Sequence, residues 1–491
     1  MALFLQVILK NQSTKKMKIF RHSFFHSFIL LLFCLTSYAQ YRIEGQIKGL
    51  AGGECILANN YITGSLYAKD TATVDANGKL VIEGPKPLPQ GIYELILPSR
   101  KVRVSFLIGK EQNFSFSLDT LDVLGTIKIK GSPDSELFYE FQQAMKNYEA
   151  DAKKIQDAKP TDADKKIKAV QDKRKGYYDK FMKDNQDRMV AVFFKAAAEP
   201  EVPTAPKLPN GKTDSVWAFN YYKNHFWDNY NFADERLIRT PFLNSKMERY
   251  IRDLTVQTED SIMKSANFMI KKAIDGKQTE MIFTTIMFVT REYENAKIIG
   301  TEGVFVQIAE KYILTGILPL SDTSSKKAFR DRVSVLKPLL TGKVIPDLGV
   351  QWDRGNFVNI HDLRADYNVV FFYSPSCGHC KESAPKLKAF QDKYKDKGVS
   401  VMTIATEGNE EDWRKFIKEY KWEGLVNGYG RSVTRSIEYN KDYDVLSTPT
   451  IYVIDKTHKI IARKLGIEDL EPYLTVHKRQ KITKTEAKTS K

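Results

Sequence analysis

"YNVVFFYSPSCGHCKES", residues 367–383, decides how this 491-residue chain reads. The run "YNVVFFYS" is mostly apolar, the signature of a central strand buried on both faces. It ends at Ser374, and Cys377 and Cys380 follow at once. "CGHCKESAPKLKAFQDKYKD" reads as a helix that opens with this pair. Pro385 is expected to kink it, because proline removes a hydrogen bond inside a helix. A helix N-terminus carries partial positive charge and free N–H groups. A thiolate placed there is stabilised, and its pKa falls. With two residues between the cysteines, the second thiol sits one turn on, close enough to close a ring. Cys377, at the exposed end, can attack a disulfide, and the more buried Cys380 can resolve the mixed disulfide.

Other uses of the pair fail on detail. Zinc needs about four ligands, and a single CxxC without a second pair or a histidine pair does not supply them. Covalent haem needs a histidine directly after the second cysteine, where this chain has Lys381. A thiol peroxidase of the peroxiredoxin type would place its reactive cysteine at the end of Pro-x-x-x-Thr-x-x-Cys. Ser374 is a tolerable swap for the threonine, but Val370 stands where the proline belongs.

Outward from the pair, a small α/β domain takes shape. "LLTGKVIPDLG" (339–349) reads as a linker, and "VQWDRGNFVNI" as a hairpin turning at residues 353–356. "VSVMTIAT", "STPTIYVID" and "KIIARKLG" read as strands, "NEEDWRKFIKEY" and residues 467–474 as helices. Further upstream, residues 41–132 alternate with period two in "YRIEGQI", "KVRVSFLI", "NFSFSLD" and "TIKIKG", the pattern of strands with one buried face. Asn77-Gly78 between strand-like flanks is a hairpin signal. An antiparallel β-sandwich or barrel is expected there, with Cys55 as a buried structural thiol. From Ser135, Leu137, Phe138, Phe141 and Met145 recur at helical spacing. Helical patterns continue to about residue 336, interrupted by four prolines between Pro200 and Asn210. The aromatic run "HFWDNYNF" (225–232) reads as a packed seam between helices rather than a ligand pocket.

The fold class expected is therefore multidomain α+β. Its parts are a signal peptide at 1–39 (with Met17 as an alternative start), a β-rich domain at 40–133, a helical domain at 134–338, a redox domain at 339–476 and a basic, disordered tail at 477–491. The signal reading rests on a basic segment after Met17, an apolar stretch from Ser23 to Leu35 and small residues up to Ala39. That stretch is short for a membrane span of about 20 residues. Cys34 follows the bulky Phe33, which argues against a lipid anchor. The expected location is the periplasm or cell envelope, with no transmembrane segment in the mature chain. Loss of the signal leaves Cys55, Cys377 and Cys380, which is no disulfide framework. The net charge of +16 is carried by lysines that are interleaved with acids along the helical middle and concentrate only in the tail His477–Lys491. That is a solvated surface and no nucleic-acid motif. No cofactor and no metal are expected.

From about Val344 to Leu474 the chain resembles the thioredoxin-fold proteins, nearest the exported TlpA/ResA-like branch. The likeness rests on Cys377-Gly-His-Cys380 after a buried strand, on Pro385, and on Thr448-Pro449 before the strand "TIYVID". The β-rich and helical modules look like the N-terminal extensions of thioredoxin-like proteins from Gram-negative envelopes. The resemblance implies that Pro449 is cis and faces the dithiol, and that Thr448 offers backbone hydrogen bonds to a substrate chain. It implies disulfide-containing envelope proteins as partners and a membrane thiol as electron donor. The chain also departs from the family. Ser376 replaces the usual tryptophan before the first cysteine. Phe371 replaces a buried acid six residues before it. Ser383 stands where many relatives carry a glutamate, with Glu382 beside it as a substitute proton acceptor. His379 is expected to stabilise a Cys377 thiolate and make the dithiol more oxidising than thioredoxin's. The extensions also allow a non-enzymatic reading, a binding scaffold with an accessory redox domain.

Overall fold

Period-two sequence becomes period-two burial in the first module. The computed structural model describes residues 39–61, 64–318, 320, 322–430 and 437–489. The expected signal segment up to residue 38, with Cys34, lies outside them. Eight strands follow: β1 (Tyr41–Lys48), β2 (Glu54–Tyr61), β3 (Ser65–Thr73), β4 (Lys79–Gly84), β5 (Gly91–Ile96), β6 (Arg103–Ile108), β7 (Asn113–Asp119) and β8 (Lys128–Lys130). They form two four-stranded sheets, β4-β1-β7-β8 and β3-β2-β5-β6. Along β1 every second residue from Tyr41 is buried. Phe106 meets Phe114 and Phe116 at 5.3 and 5.0 Å between ring centroids. Gly45 makes room for Phe116, since a Cβ there would come within 2.5 Å of its ring.

Two expectations for this module need correction. Its strands are not all antiparallel, because β1 and β7 pair in parallel from Arg42↔Asn113 to Lys48↔Asp119. Nor does Asn77-Gly78 close a hairpin. The turn is present, with the Asp75 amide donating to the Lys79 carbonyl at 2.8 Å and Gly78 at φ +80°. Yet β3 before it pairs with β2, and β4 after it pairs with β1 in the other sheet. Buried Val74 lies at the crossing, and its amide donates to the Gly53 carbonyl at 2.9 Å. A turn motif sets a local reversal of the chain and leaves the partner strand open.

By its contacts the chain divides between Ser245 and Lys246. The first unit continues with helices at Pro133–Ala158, Ala163–Asp184, Met189–Ala197 and Ser215–His225. Phe141 packs on Phe181 and Phe194 at 4.9 and 4.5 Å between centroids. Within the aromatic run, Phe226, Trp227, Tyr230 and Phe232 are core residues. His225 faces solvent and pairs with Asp228 at 2.6 Å.

The second unit opens with helices at Glu259–Gly276, Thr279–Glu294 and Thr323–Leu336. A seven-stranded sheet follows: β9 (Gly349–Trp352), β10 (Phe357–Asn359), β11 (Tyr367–Tyr373), β12 (Val399–Ala405), β13 (Val426–Tyr429), β14 (Thr450–Asp455) and β15 (Ile460–Arg463). Their order is β10-β9-β13-β12-β11-β14-β15. Every residue of β11 is buried. Val369, Phe371 and Tyr373 join one core with Cys380, Leu387 and Trp422, while Val370 and Phe372 join another on the opposite face. Burying each such aromatic contributes roughly 1.5–3 kcal/mol. The helix Gly378–Tyr394 runs unbroken across Pro385.

The last helix runs Leu470–Thr489, through residues expected to form a disordered tail. From Tyr473 onward the chain has no glycine or proline. Lysine, arginine, glutamine, glutamate and alanine all favour helix, so high charge alone was a poor sign of disorder here.

Candidate active site

Cys377 is the N-cap of the Gly378–Tyr394 helix, and Cys380 lies within its first turn. The Cys377 amide donates to the Ser374 carbonyl at 3.1 Å, which closes the turn from β11 into the helix. Cys377 is half-buried and Cys380 is fully buried, both as free thiols. Their proton affinities move in opposite directions. At Cys377 burial works against the thiolate. Hydrogen bonds from Thr448, the Cys380 thiol and the backbone N–H groups of Cys380 and His379 outweigh it, so the thiol titrates below its ordinary value. At Cys380 burial dominates and pushes the thiol up to about 12. Alkylation of the reduced native chain by iodoacetamide is therefore expected at Cys377 alone, with a midpoint below that of an ordinary thiol. Equal rates at the two cysteines, read by mass spectrometry, would contradict this arrangement.

The Thr448–Pro449 peptide is cis, and the Cys377 thiol donates to the Thr448 carbonyl at 3.3 Å. Thr448 thus stands against the more accessible sulfur. The loop bearing it is anchored by residues that no sequence motif marks. Tyr443 donates through its hydroxyl to the Pro346 and Asp347 carbonyls, each at 3.1 Å. Tyr452 donates to the Tyr443 carbonyl at 2.6 Å. Asp444, in a left-handed conformation at φ 51°, is fully buried among Arg332 at 2.5 Å, Lys464 at 2.7 Å and Arg463 at 2.8 Å. No local motif marks Asp444, because its partners come from distant stretches of chain.

The remaining candidates sit less close to the sulfurs. The side chains of His379 and Glu382 are both largely exposed and face each other, with Nδ1 and Oε2 3.4 Å apart. What reaches Cys377 from His379 is its backbone N–H. Ser383 is buried and donates to the His379 carbonyl at 2.8 Å. Phe371 lies in the core beside Tyr373 and Trp422. Cys55 is buried in β2, and burial pushes its thiol up to about 11, which keeps it inert. Among the described residues no group of histidine, cysteine and carboxylate side chains could hold a metal. No helix among them is long and apolar enough to cross a membrane. A cavity of about 870 Å³, lined by Lys297, Ile299, Lys464, Leu465 and Tyr473 among others, does not include the dithiol.

Residues 341–463 match the AhpC/TSA family. Residues 41–138 and 156–337 each match a family described as a domain of unknown function, DUF4369 and DUF5106. Among curated proteins, the chain is similar to "Thiol-disulfide oxidoreductase ResA" of Bacillus cereus. Identity is 28% over 145 residues, covering 29% of this chain and 78% of that protein. Among solved structures, a thioredoxin-like protein from Bacteroides caccae ATCC 43185 is 22% identical with a TM-score of 0.44, covering 57% of this chain and 99% of its own. A domain of a "possible thiol-disulfide isomerase" from Cytophaga hutchinsonii ATCC 33406 is 34% identical with a TM-score of 0.28, covering 30% of this chain and 98% of its own.

Proposed function

We propose that this chain, whose residues 341–463 match the AhpC/TSA family and which is similar to a curated thiol-disulfide oxidoreductase, is an exported dithiol enzyme that reduces or isomerises disulfides in envelope proteins. One observation carries the reading: two thiols share one helix N-terminus, one accessible with a lowered pKa and one buried with a raised pKa. Cys377 is the nucleophile and Cys380 the resolving thiol. The Thr448 backbone next to Pro449 pairs with the substrate chain, and Cys377 and Cys380 close the redox-active disulfide. Electrons come from a membrane thiol donor. Export rests on the basic, apolar and small-residue order between Met17 and Ala39.

The reduction potential tests the reading. Thioredoxin lies near about −270 mV and protein disulfide isomerase near about −180 mV. The Gly378-His379 dipeptide is the reason to expect this pair above thioredoxin. Glu382 faces the exposed imidazole, so His379→Ala should lower the potential by less than that roughly 90 mV interval. Equilibration with glutathione buffers, followed by mass spectrometry of alkylated thiols, gives both values. A potential at or below thioredoxin's would remove His379 as a tuning residue. Consumption of peroxide as fast as disulfide exchange would favour the peroxidase reading, although buried Val370 occupies the place of that pattern's proline.

A further inference from the structure

Resolution by Cys380 requires its thiol to lose a proton, yet Cys380 has no exposed surface. The sheet face beneath its helix offers a polar route out of the core. Tyr373, the last residue of β11, is fully buried, and its hydroxyl makes no hydrogen bond of good geometry, with Thr403 and Trp413 as its nearest polar neighbours. That hydroxyl lies beside Cys380, Thr403 and Trp413, within electrostatic reach of Asp353. Strand register extends the route sideways. Phe371 of β11 faces Thr403 of β12, and Thr403 faces Asn427 of β13. Paired residues point to the same face, as do residues two apart on one strand. Tyr373, Thr403 and Asn427 therefore share the face that the helix covers. Beyond Asn427, the Asp353 amide donates to the Asn427 carbonyl at 3.1 Å.

The side chains complete the row. Thr403 Oγ1 donates to Asn427 Oδ1 at 2.9 Å, and Asn427 Nδ2 donates to Asp353 Oδ2 at 2.9 Å. One carboxylate oxygen is thereby fixed. The other, Asp353 Oδ1, is buried with no protein partner, as is Trp413 Nε1. Buried polar atoms without partners are uncommon. Here Tyr373 Oη and Trp413 Nε1 adjoin each other on the face that carries Cys380, and Asp353 Oδ1 lies within electrostatic reach of Tyr373, enough polar partners for a bridging water. The titratable groups facing Tyr373 are Cys380 from the helix and Asp353 from the turn after β9. Cys377 faces Cys380. Arg354 stacks on the Trp352 ring at 4.9 Å.

We propose that Tyr373 and Asp353 form a buried proton relay for Cys380, in which Thr403 and Asn427 position the Asp353 carboxylate. The proposal rests on the reading of Cys380 as the resolving thiol. In the step, the Cys380 S–H bond breaks and the proton passes through the Tyr373 hydroxyl and bridging water to Asp353 Oδ1. The Cys380 thiolate attacks Cys377 in the mixed disulfide. The Cys377–substrate S–S bond breaks, its electron pair leaves on the substrate sulfur, and that thiolate takes a proton from solvent. The substrate disulfide is reduced by two electrons, and the dithiol becomes the Cys377–Cys380 disulfide.

The test uses the full chain and a mixed disulfide of Cys377 with thionitrobenzoate, whose release reports resolution by absorbance. Rates are followed from pH 5 to 9 in light and heavy water. Asp353→Asn is expected to slow resolution about tenfold or more at neutral pH, to move its pH dependence upward and to change its solvent isotope effect. Asp353→Glu should restore part of the rate. Tyr373→Phe should match Asp353→Asn. If that buried variant does not fold, Asp353→Asn decides, with the Cys377 alkylation rate reporting an intact site. An unchanged pH profile in Asp353→Asn, with wild type active, overturns the relay alone. A wild-type chain that neither forms nor resolves the mixed disulfide overturns the enzymatic reading, and the relay with it.

Discussion

Cys377→Ser is expected to abolish disulfide exchange, and Cys380→Ser to leave the chain locked to its substrates. The asymmetry follows from burial. Cys377 is the more accessible thiol, and Thr448 and two helix N–H groups favour its thiolate. A serine hydroxyl at that place does not attack a disulfide, so the rate should fall to that of free thiols in solution. A nucleophilic step of this kind is worth several orders of magnitude. Cys380 has no surface through which to reach a substrate. Its removal leaves the first attack intact and blocks release. Covalent adducts should then accumulate and disappear on treatment with dithiothreitol. Insulin reduction gives the rates, and non-reducing electrophoresis shows the adducts. Exchange at wild-type rate in Cys377→Ser would sink the enzymatic reading and leave the scaffold reading standing. The adducts from Cys380→Ser in cells would also identify the partners directly, since the trapped sulfur belongs to the substrate.

How far the sequence led depended on whether a signal was local. The strand "YNVVFFYS", the cysteine pair, the turn at 353–356 and the last two strands were legible because each is carried by a short run of residues. β13 was not. It spans only Val426–Tyr429, contains Gly428 and shows no alternation. It nevertheless supplies Asn427, through which β12 is linked to Asp353. The crossing at Asn77-Gly78 has no local signal, because a turn residue reports φ and not the sheet that the next strand will join. Long-range chemistry was hidden for the same reason. Phe371 and Ser383 leave two expected acid positions empty, and nothing local says that a carboxylate reaches the same core through Asn427. The His379 expectation came from a dipeptide, and no dipeptide shows that its imidazole turns toward Glu382.

Asp444→Asn should be the most damaging single change remote from the sulfurs. Arg332, Arg463 and Lys464 converge on one carboxylate with no exposed surface, and Arg463 is itself buried. Removing one partner of a buried ion pair costs about 3–5 kcal/mol, because the other charge stays buried without compensation. That is a large share of a typical stability of about 5–15 kcal/mol. Asparagine is the informative replacement, since it tolerates the left-handed backbone that Asp444 adopts at φ 51° and so isolates the loss of charge. In urea the midpoint should fall with little change in slope. The dependence on pH gives a second check. Burial disfavours the Asp444 carboxylate, but hydrogen bonds from Arg332 and Lys464 outweigh this and hold its pKa below the ordinary value. Its stabilisation is therefore fully present above the unfolded value of about 3.9 and is lost as pH falls through the folded value. The gap between wild type and Asp444→Asn should be constant at neutral pH and should close only below about pH 4. A gap that closed near pH 6 would mean a histidine, not Asp444, governs the difference. Asp444 also stands four residues before Thr448, on the loop that Tyr443 and Tyr452 anchor. Loosening that loop should therefore weaken reduction of a polypeptide disulfide, which needs the Thr448 backbone in register, more than reduction of a small disulfide that needs only Cys377.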